Sequence, residues 1–180
     1  MRIIGGKWRG RPLAAPAGEA TRPTSDRARE ALFSMLTSRL GSFDGLAVAD
    51  LFAGTGALGL EALSRGAERA LFVERDRGAL TALRANIDRL VAGGAAEIRA
   101  QGVETLGQPA AAFDLLLLDP PYGDAAARAA LARLVSLGWV SPGGWVSLET
   151  ARDEDVAIDG LRIEVERIYG KAKLSLLRLG

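Results

Sequence analysis

The most informative segment of the sequence is Asp50-Leu51-Phe52-Ala53-Gly54-Thr55-Gly56-Ala57-Leu58-Gly59. An apolar run at 46–52 predicts a buried strand leading into it, and residues 57–65 predict a helix after it. Glycines spaced as G-x-G-x-x-G between a strand and a helix let backbone N–H groups approach a ligand at the helix N-terminus. The next predicted strand ends in Glu74, where a carboxylate can accept both hydroxyls of a ribose. The turn therefore predicts a nucleotide-containing ligand.

Two ligand classes fit this turn, a dinucleotide and S-adenosylmethionine. Asp50 favours the second, because its carboxylate would repel a pyrophosphate but tolerates a sulfonium and an α-amino group. The run DLFAGTGALG resembles the first motif of Rossmann-like methyltransferases, and Glu74 resembles their ribose-binding acid. The cofactor contacts expected from this half of the site are Asp50, Phe52, Ala53, Gly54, Thr55, Gly56, Glu74 and Arg75.

Strand and helix patterns alternate outward from the turn. Continuous apolar strands separated by helices predict an α/β fold, with a mostly parallel sheet covered by helices on both faces. A C-terminal antiparallel hairpin is expected at 161–169 and 172–179, and a short N-terminal β-hairpin at 2–13. The remaining expected strands are 69–74, 96–100, 113–119 and 145–150, and the remaining helices are 25–40, 78–91 and 124–137.

A second motif, Asp119-Pro120-Pro121-Tyr122, ends the strand predicted at 113–119. Two prolines cannot continue a strand, so the chain leaves the sheet at the edge that carries the glycine turn. The Asp119 carboxylate and the Pro120 carbonyl can hold the two hydrogens of an exocyclic base amine, and Tyr122 can stack on an extruded base. The tetrad resembles the N/D-P-P-Y/F motif of amino methyltransferases, which act on adenine N6, cytosine N4 or guanine N2.

Composition excludes several kinds of chemistry. The chain has 180 residues with 0 Cys and 0 His, so disulfides, thiol nucleophiles, histidine bases and histidine metal sites are absent. No metal site is expected. No apolar run reaches the roughly 18 residues of a membrane-spanning helix, and the N-terminus lacks the apolar core of a signal peptide. A monomeric cytoplasmic protein is therefore expected.

Charge is concentrated near the N-terminus. The first 40 residues hold eight basic and three acidic side chains, although the whole chain has a net charge of only +1. Residues 1–24 are expected to form a basic hairpin and loop suited to a phosphate-bearing partner, followed by a second domain at 25–180. Cations beside an aromatic ring suit phosphate contact and base stacking, so the expected nucleic-acid contacts are Lys7, Trp8, Arg9, Arg11 and Arg22.

The whole chain resembles the RsmD family of bacterial enzymes that methylate a guanine N2 of small-subunit ribosomal RNA. The segments that carry the resemblance are MRIIGGKWRGRPL, RPTSDRAREALFSML, DLFAGTGALGLEALSRGA, VERDRGALTALRANI, FDLLLLDPPY and YGKAKLSLLR. The R-P-T-x-D-R segment discriminates best, because generic methyltransferases lack it. The resemblance implies S-adenosylmethionine as cofactor and a Rossmann-like class I methyltransferase fold.

The resemblance also implies a substrate and roles for single residues. The substrate would be 16S rRNA in a small subunit or late assembly particle, methylated as in the guanine-966-N2 type. Asp119, Pro120 and Tyr122 would hold the guanine, and Thr24 and Arg27 would lie near the methionine end of the cofactor. Gln101 stands where the family usually has an acidic residue that reaches the adenine amino group, with the Gly102 backbone beside it. A Gln oxygen still accepts a hydrogen bond, but without charge assistance.

Three alternatives stay open from the sequence. The first is an adenine-N6 methyltransferase acting on DNA or RNA, although 180 residues leave little room for a separate target-recognition domain. The second is a non-catalytic RNA-binding protein with a relic methyltransferase fold, which would be expected to have lost the tetrad or the glycine turn. The third is a nicotinamide-dependent oxidoreductase, which Asp50 and the missing substrate domain disfavour.

Overall fold

A computed structural model describes residues 1–16, 26–121, 123 and 125–180. The expected residues Thr24, Arg22 and Tyr122 lie outside these ranges. The chain begins with a 3-10 turn at Gly6–Trp8, and a second 3-10 turn follows β3 at Val103–Thr105. The helices and strands in chain order are α1 Asp26–Leu40, β1 Ala47–Leu51, α2 Ala57–Ser64, β2 Arg69–Glu74, α3 Arg77–Leu90, β3 Ala96–Ala100, β4 Phe113–Leu118, α4 Ala125–Ser136, β5 Val140–Ala151, β6 Leu161–Tyr169 and β7 Ala172–Leu179.

The seven strands form one sheet in the order β3-β2-β1-β4-β5-β7-β6. The first five strands are parallel, and β7 runs antiparallel between β5 and β6. Because β1 pairs with both β2 and β4, the chain changes direction across the sheet at the β1–β4 boundary. In open α/β sheets this switch point, at the carboxyl ends of the strands, is where ligands bind. The expected mostly parallel sheet with a C-terminal antiparallel hairpin is confirmed.

Both faces of the sheet are covered, as expected. One core cluster joins α1, α2 and α3 to the sheet, with Phe33, Leu63 and Leu83 fully or almost fully buried. The second cluster packs α4 on the other face, around Leu131 and Trp139. None of the helices in the described ranges is long and apolar enough to cross a membrane.

Two elements differ from the sequence expectation. Strand β5 begins at Val140, five residues before the predicted start, because the pairing with β4 shifts between Phe113 and Leu115 and absorbs Gly143 and Gly144 in an irregular stretch. The N-terminal hairpin is a closed loop in which a single antiparallel bridge, Arg2 to Pro12, joins the two arms of residues 1–16. Glycine and proline in these segments reduce regular strand pairing.

The C-terminal end of α3 contains a strained residue. Val91 adopts a φ of 54° and is 88% exposed. A β-branched side chain is unfavourable in this left-handed region, where Gly is usual at a helix end. We expect Val91→Gly to raise the free energy of unfolding by about 1 kcal/mol, since no buried contact is lost. Urea unfolding measures it, with Val91→Ala as the control that keeps a Cβ. A lower stability of Val91→Gly would contradict the strain.

Candidate active site

A cleft of 740 Å³ opens at the carboxyl edge of the sheet, beside the β1–β4 boundary. Loops after β1, β2, β3 and β4 contribute its walls, and so does the N-terminal segment through Met1, Ala15 and Pro16. The cleft brings together most of the site residues that the sequence indicated. Those lining it are Asp50, Phe52, Ala53, Gly54, Thr55, Glu74, Arg75, Gln101, Gly102 and Asp119.

The three glycines of the turn have different roles. Gly54 has a φ of 55°, and a Cβ added there would meet no atom within 4 Å, so this position leaves the cleft open. A Cβ on Gly56 would lie 2.4 Å from Leu83 Cδ1, and one on Gly59 would lie 2.4 Å from Phe72 Cε1. Gly56 also donates its N–H to the Ala53 carbonyl at 2.7 Å and does not line the cleft. The structure therefore gives Gly56 a packing role, and the expected cofactor contact at Gly56 stays a prediction.

Phe52 is the strained residue of the cleft. It adopts a φ of 64°, a left-handed conformation that is unfavourable for a bulky side chain, and it is half-buried in the cleft wall. Such strain is typical of functional sites, where surrounding structure fixes an unusual backbone. Hydrogen bonds hold the next residue, since the Ala53 N–H donates to the Val73 carbonyl at 3.0 Å. The sequence motif contained no signal for this strain.

Asp50 is buried at the end of β1 and caps α2 from outside the helix. Its Oδ2 accepts the N–H of Gly59 at 2.8 Å, one of the first-turn donors that a helix leaves unpaired. Burial raises the pKa of Asp50 well above its ordinary value, the Gly59 hydrogen bond opposes this, and the charges of Asp119 and Glu74 add to it. Three carboxylates therefore share one cleft, and they favour a cationic ligand over a pyrophosphate.

The raised pKa of Asp50 predicts a pH-dependent stability. Since the native state binds this proton more tightly than the unfolded state, the stabilising contribution is complete below the ordinary carboxyl pKa. It is lost as pH rises through the raised native pKa. We expect Asp50→Asn, which cannot titrate, to gain stability relative to the wild type as pH rises through this window. Urea unfolding across a pH series measures it, with exposed Asp153→Asn as the control. A pH-independent difference would contradict the assignment.

Glu74 is held in a fixed orientation at the end of β2. Its Oε2 accepts the Gly54 N–H, and its Oε1 accepts the N–H groups of Arg75 and Asp76, each at 2.8 Å. A carboxylate offers about four acceptor sites, so three backbone donors leave one acceptor site for a further donor. This preorganised acid beside an open glycine turn suits a ribose hydroxyl.

The third wall of the cleft follows β3. Gln101 donates from Nε2 to Thr105 Oγ1 at 2.9 Å, and its amide oxygen accepts no hydrogen bond from the described residues. At the rim, Arg75 Nη1 lies 3.3 Å from Glu104 Oε1. Both of these side chains are mostly exposed, so the pair contributes little to stability. This wall of the cleft thus offers the Gln101 amide oxygen as a hydrogen-bond acceptor, next to the weak ion pair of Arg75 and Glu104.

Residues Asp119, Pro120 and Pro121 directly follow β4 and are called the Asp119 corner here. This corner borders the same cleft. Leu118 pairs with Leu51 of β1 and Leu148 of β5, which places half-buried Asp119 just beyond the switch point. Asp119 also borders a small cavity lined by Arg29, Ser147 and Glu149. Pro120 is buried, whereas Pro121 is exposed and lines the cleft.

Glu154 binds the backbone of Gly123, two residues after the Asp119 corner. Its Oε1 accepts the N–H of Gly123 at 2.9 Å and of Ala151 at 3.0 Å, and its Oε2 lies 3.1 Å from Arg128 Nη1. The Gly123 hydrogen bond lowers the pKa of Glu154 most, burial opposes this, and Ala151, Arg128 and Lys173 lower the pKa further. Glu154 therefore connects the segment after β5 to the segment that follows the Asp119 corner. No sequence motif predicted this role of Glu154.

Loss of the Glu154 carboxylate is expected to lower kcat without lowering the affinity for the cofactor. Without its carboxylate the Gly123 N–H is released, and misplacement of the Asp119 corner lowers kcat. We expect Glu154→Ala to reduce kcat about tenfold with an unchanged cofactor Kd, and Glu154→Gln, which keeps one acceptor, to have an intermediate effect. Steady-state kinetics with calorimetry of cofactor binding measures both, with exposed Asp153→Ala as the control. An unchanged kcat in Glu154→Ala would contradict the positioning role.

The N-terminal segment is attached to α2 by a buried acid. Glu61 is 0% exposed and accepts the N–H groups of Ile4 and Gly5 at 2.8 Å each. Ser64 Oγ accepts the Trp8 N–H at 3.0 Å, so the loop of residues 1–16 has a fixed position beside the cleft.

Arg29 is a further residue of the cleft that no sequence motif indicated. It is 2% exposed, lines the cleft, lies 3.0 Å from Asp26 and 3.8 Å from Glu61, and donates to the Arg2 carbonyl. Burial lowers the pKa of Arg29, although the charges of Glu61 and Asp26 oppose this. Arg27, which the resemblance places near the cofactor, is exposed and does not line the cleft. Arg29 is therefore the arginine of α1 that lines the cleft, and the role of Arg27 near the cofactor stays a prediction.

The basic side chains of the N-terminal loop lie on its outer surface. Lys7 and Arg9 are exposed, and Lys7 Nζ lies 4.4 Å from the centre of the half-buried Trp8 ring. Arg11 donates to the Arg89 carbonyl at 2.9 Å, and Arg89 donates to the Pro12 carbonyl at 3.3 Å. Arg89 of α3 thus extends this basic surface beyond the N-terminal loop.

Comparisons with known proteins give the family of the chain. The chain matches the family described as Conserved hypothetical protein 95 over residues 1–178. It is 37% identical over 150 residues to the Ribosomal RNA small subunit methyltransferase D of Escherichia coli, covering 83% of this chain and 74% of that protein. The solved structure of the Escherichia coli protein yhhF has a TM-score of 0.88 at 32% identity, covering 99% of this chain and 97% of that one.

A more distant structure shows the fold alone. The magnesium protoporphyrin IX methyltransferase of Synechocystis is 15% identical, with a TM-score of 0.67, over 99% of this chain and 88% of that one. The fold is therefore the class I fold of S-adenosylmethionine-dependent methyltransferases. Together with the match over residues 1–178, these likenesses show that the chain belongs to the RsmD family, whose family description is Conserved hypothetical protein 95.

Proposed function

We propose that this protein transfers a methyl group from S-adenosylmethionine to the exocyclic N2 of a guanine in 16S rRNA. The substrate is the small ribosomal subunit or a late assembly intermediate. The observation that carries the proposal is the placement of Asp119 in the same cleft as Asp50 and Glu74. The names of the relatives support a small-subunit rRNA substrate, and the resemblance supports guanine 966 as the base.

The residues of the cleft fit the cofactor. Gly54 leaves open space, Glu74 keeps an acceptor for a ribose hydroxyl, and the Gln101 oxygen can accept from an adenine amino group. Glu74 and Asp119 contribute negative charge that suits a sulfonium and an α-amino group, and a bound cation would favour the ionised form of buried Asp50. Bound S-adenosylmethionine supplies an electrophilic methyl group. Phe52, Ala53, Thr55, Arg75 and Gly102 complete the proposed contacts, with Thr24 beyond the described residues.

The Asp119 corner provides the acceptors for the target amine. The lone pair of a base amine is delocalised into the ring, so this nitrogen is a poor nucleophile. Two acceptors, the Asp119 carboxylate and the Pro120 carbonyl, hold its hydrogens and direct the lone pair toward the methyl donor. Tyr122 stacks on the extruded base in this proposal. Because transfer needs no covalent enzyme intermediate, positioning and electrostatics provide most of the rate.

RNA binding is assigned to the N-terminal region. The proposed RNA contacts of residues 1–24 are Lys7, Trp8, Arg9, Arg11 and Arg22, of which Arg22 lies outside the described residues, and residues 25–180 carry out the transfer. The attachment of the loop to α2 through Glu61 supports a fixed geometry between these cations and the cleft. The protein acts as a monomer in the cytoplasm, where ribosomal subunits assemble, and it uses no metal.

A comparison of acceptors tests this proposal. Labelled S-adenosylmethionine is supplied with unmodified small subunits, free 16S rRNA or duplex DNA, and label retained on nucleic acid is counted. We expect transfer to small subunits at a rate at least tenfold above that to the other two. Preferential transfer to duplex DNA would contradict the proposal and favour the adenine-N6 alternative. Cofactor binding without transfer to any acceptor would favour the relic-fold alternative.

A further inference from the structure

The turn between β6 and β7 lies at the same edge of the sheet as the Asp119 corner. Ala151, the last residue of β5, pairs with Ala172, the first residue of β7, and the Arg152 N–H donates to the Lys171 carbonyl at 2.9 Å. Strand β7 is two positions from β4 in the sheet, a separation of roughly 10 Å. The N-terminal loop, by contrast, contacts α2 and α3 on the other half of the sheet. The turn therefore flanks the cleft on the side away from that loop.

Two cations of this edge, Arg152 and Lys171, are exposed and have no ion-pair partner among the described residues. Other cations nearby are engaged, since Arg128 pairs with Glu154 at 3.1 Å and Lys173 with Glu166 at 3.5 Å. Ile168, one residue before Tyr169 at the end of β6, is 51% exposed. Unpaired cations beside an exposed apolar side chain suit contact with a phosphate backbone and its bases.

Acidic residues limit how this edge can act. Asp153 and Asp155 are also exposed and follow Arg152 in the chain. They cancel much of a long-range positive field, so attraction at a distance is weak. Arg152 and Lys171 can still contact individual phosphates directly, because a phosphate contact needs a nearby cation and not a large net charge.

Hydrogen bonds through Glu154 connect this edge to the segment that follows the Asp119 corner. Lys173 of β7 donates to the Glu154 carbonyl, and the Glu154 carboxylate accepts the Gly123 N–H. The same carboxylate accepts the Ala151 N–H, next to Arg152. The backbone that carries these cations is thus joined by hydrogen bonds to residues near Asp119, so phosphates bound there would help to position a base in the cleft.

We propose that Arg152 and Lys171 form a second RNA contact that binds the phosphate backbone beside the target base. This contact lies on the side of the cleft opposite the N-terminal loop, so the RNA strand is held on both sides of the extruded base. The proposal rests on the proposed function, because it specifies where the same rRNA substrate binds. The ligand is a single-stranded segment of RNA, recognised through its phosphates.

Two double variants of one hairpin region test the contact. The edge variant is Arg152→Ala with Lys171→Ala. The control variant is Arg162→Ala with Arg178→Ala, which removes equal charge from a cross-strand pair at the opposite end of β6 and β7. We expect the edge variant to raise KM for small subunits about tenfold and to lower the salt slope of binding by about one to two. Its kcat at saturating subunits, its cofactor Kd and its Tm stay at wild-type values. The control variant keeps the wild-type KM, kcat and salt slope of binding.

The outcomes separate this inference from the proposed function. Equal KM and salt slope in the edge and control variants, with an active wild type, would overturn the second contact and leave the proposed function intact. A wild type that transfers no methyl group to subunits would instead overturn the proposed function and the contact with it. The single variants Arg152→Ala and Lys171→Ala are each expected to show part of the KM increase. No increase in either would also overturn the contact.

Discussion

Replacement of Asp119 by Ala is expected to lower kcat by about 10³-fold with little change in cofactor Kd. In the proposed reaction Asp119 contacts the target amine, so its loss removes an interaction that strengthens as the nitrogen attacks. The cofactor retains Glu74, Gln101 and the open position at Gly54. Single-turnover methyl transfer measures the chemical step, and calorimetry measures cofactor affinity.

Matched variants give this prediction its control. Asp153→Ala removes an exposed carboxylate from the same sheet edge and is expected to leave kcat unchanged. Asp119→Asn keeps an acceptor oxygen, which the related N-P-P-Y form of the tetrad also supplies, so it is expected to retain more activity than Asp119→Ala. Wild-type kcat in Asp119→Ala would contradict the role of the tetrad.

Replacement of Glu61 by Ala is expected to lower the free energy of unfolding by about 3–5 kcal/mol. The change leaves the Ile4 and Gly5 N–H groups without their acceptor and removes the partner of Arg65 Nε at 2.9 Å. It also leaves buried Arg29 with one fewer nearby carboxylate, at a site where burial already lowers its pKa. A loss of this size lowers Tm by roughly 10 °C in a chain of this length.

The effect of Glu61→Ala should extend to the cleft. Residues 1–16 lose their main attachment to α2, and Met1, Ala15 and Pro16 then no longer form a fixed wall. We therefore expect weaker cofactor binding as well as lower stability, measured by urea unfolding and calorimetry. Exposed Glu68→Ala is the control, with a change within about 0.5 kcal/mol. A loss below 1 kcal/mol for Glu61→Ala would show that the N-terminal loop is held by other contacts.

Local patterns allowed the sequence to predict most of the sheet and two parts of the cleft. Apolar runs and the glycine turn have fixed short spacings, so β1, β2 and β4 and their common ligand edge could be predicted. The family resemblance is confirmed by the match over residues 1–178. Glu74 and Asp119 line one cleft because parallel strands end at the same edge.

The contacts that the sequence missed are those between distant segments. Glu61 binds backbone groups 56 and 57 residues away, and Glu154 binds Gly123 31 residues away, so no local pattern indicates either. The packing role of Gly56 depends on Leu83 in α3. The roles of these residues thus depend on tertiary packing. The glycine motif by itself indicated only that the turn after β1 binds a ligand.

The methylated nucleoside itself identifies the target amine. Unmodified small subunits are incubated with labelled S-adenosylmethionine and the protein, and the rRNA is digested to nucleosides, which are then separated. We expect the label to be recovered as N2-methylguanosine, and Asp119→Ala to abolish most of it. Recovery of the label as N6-methyladenosine, or as another methylated nucleoside, would contradict the assignment of the Asp119 corner to a guanine amine.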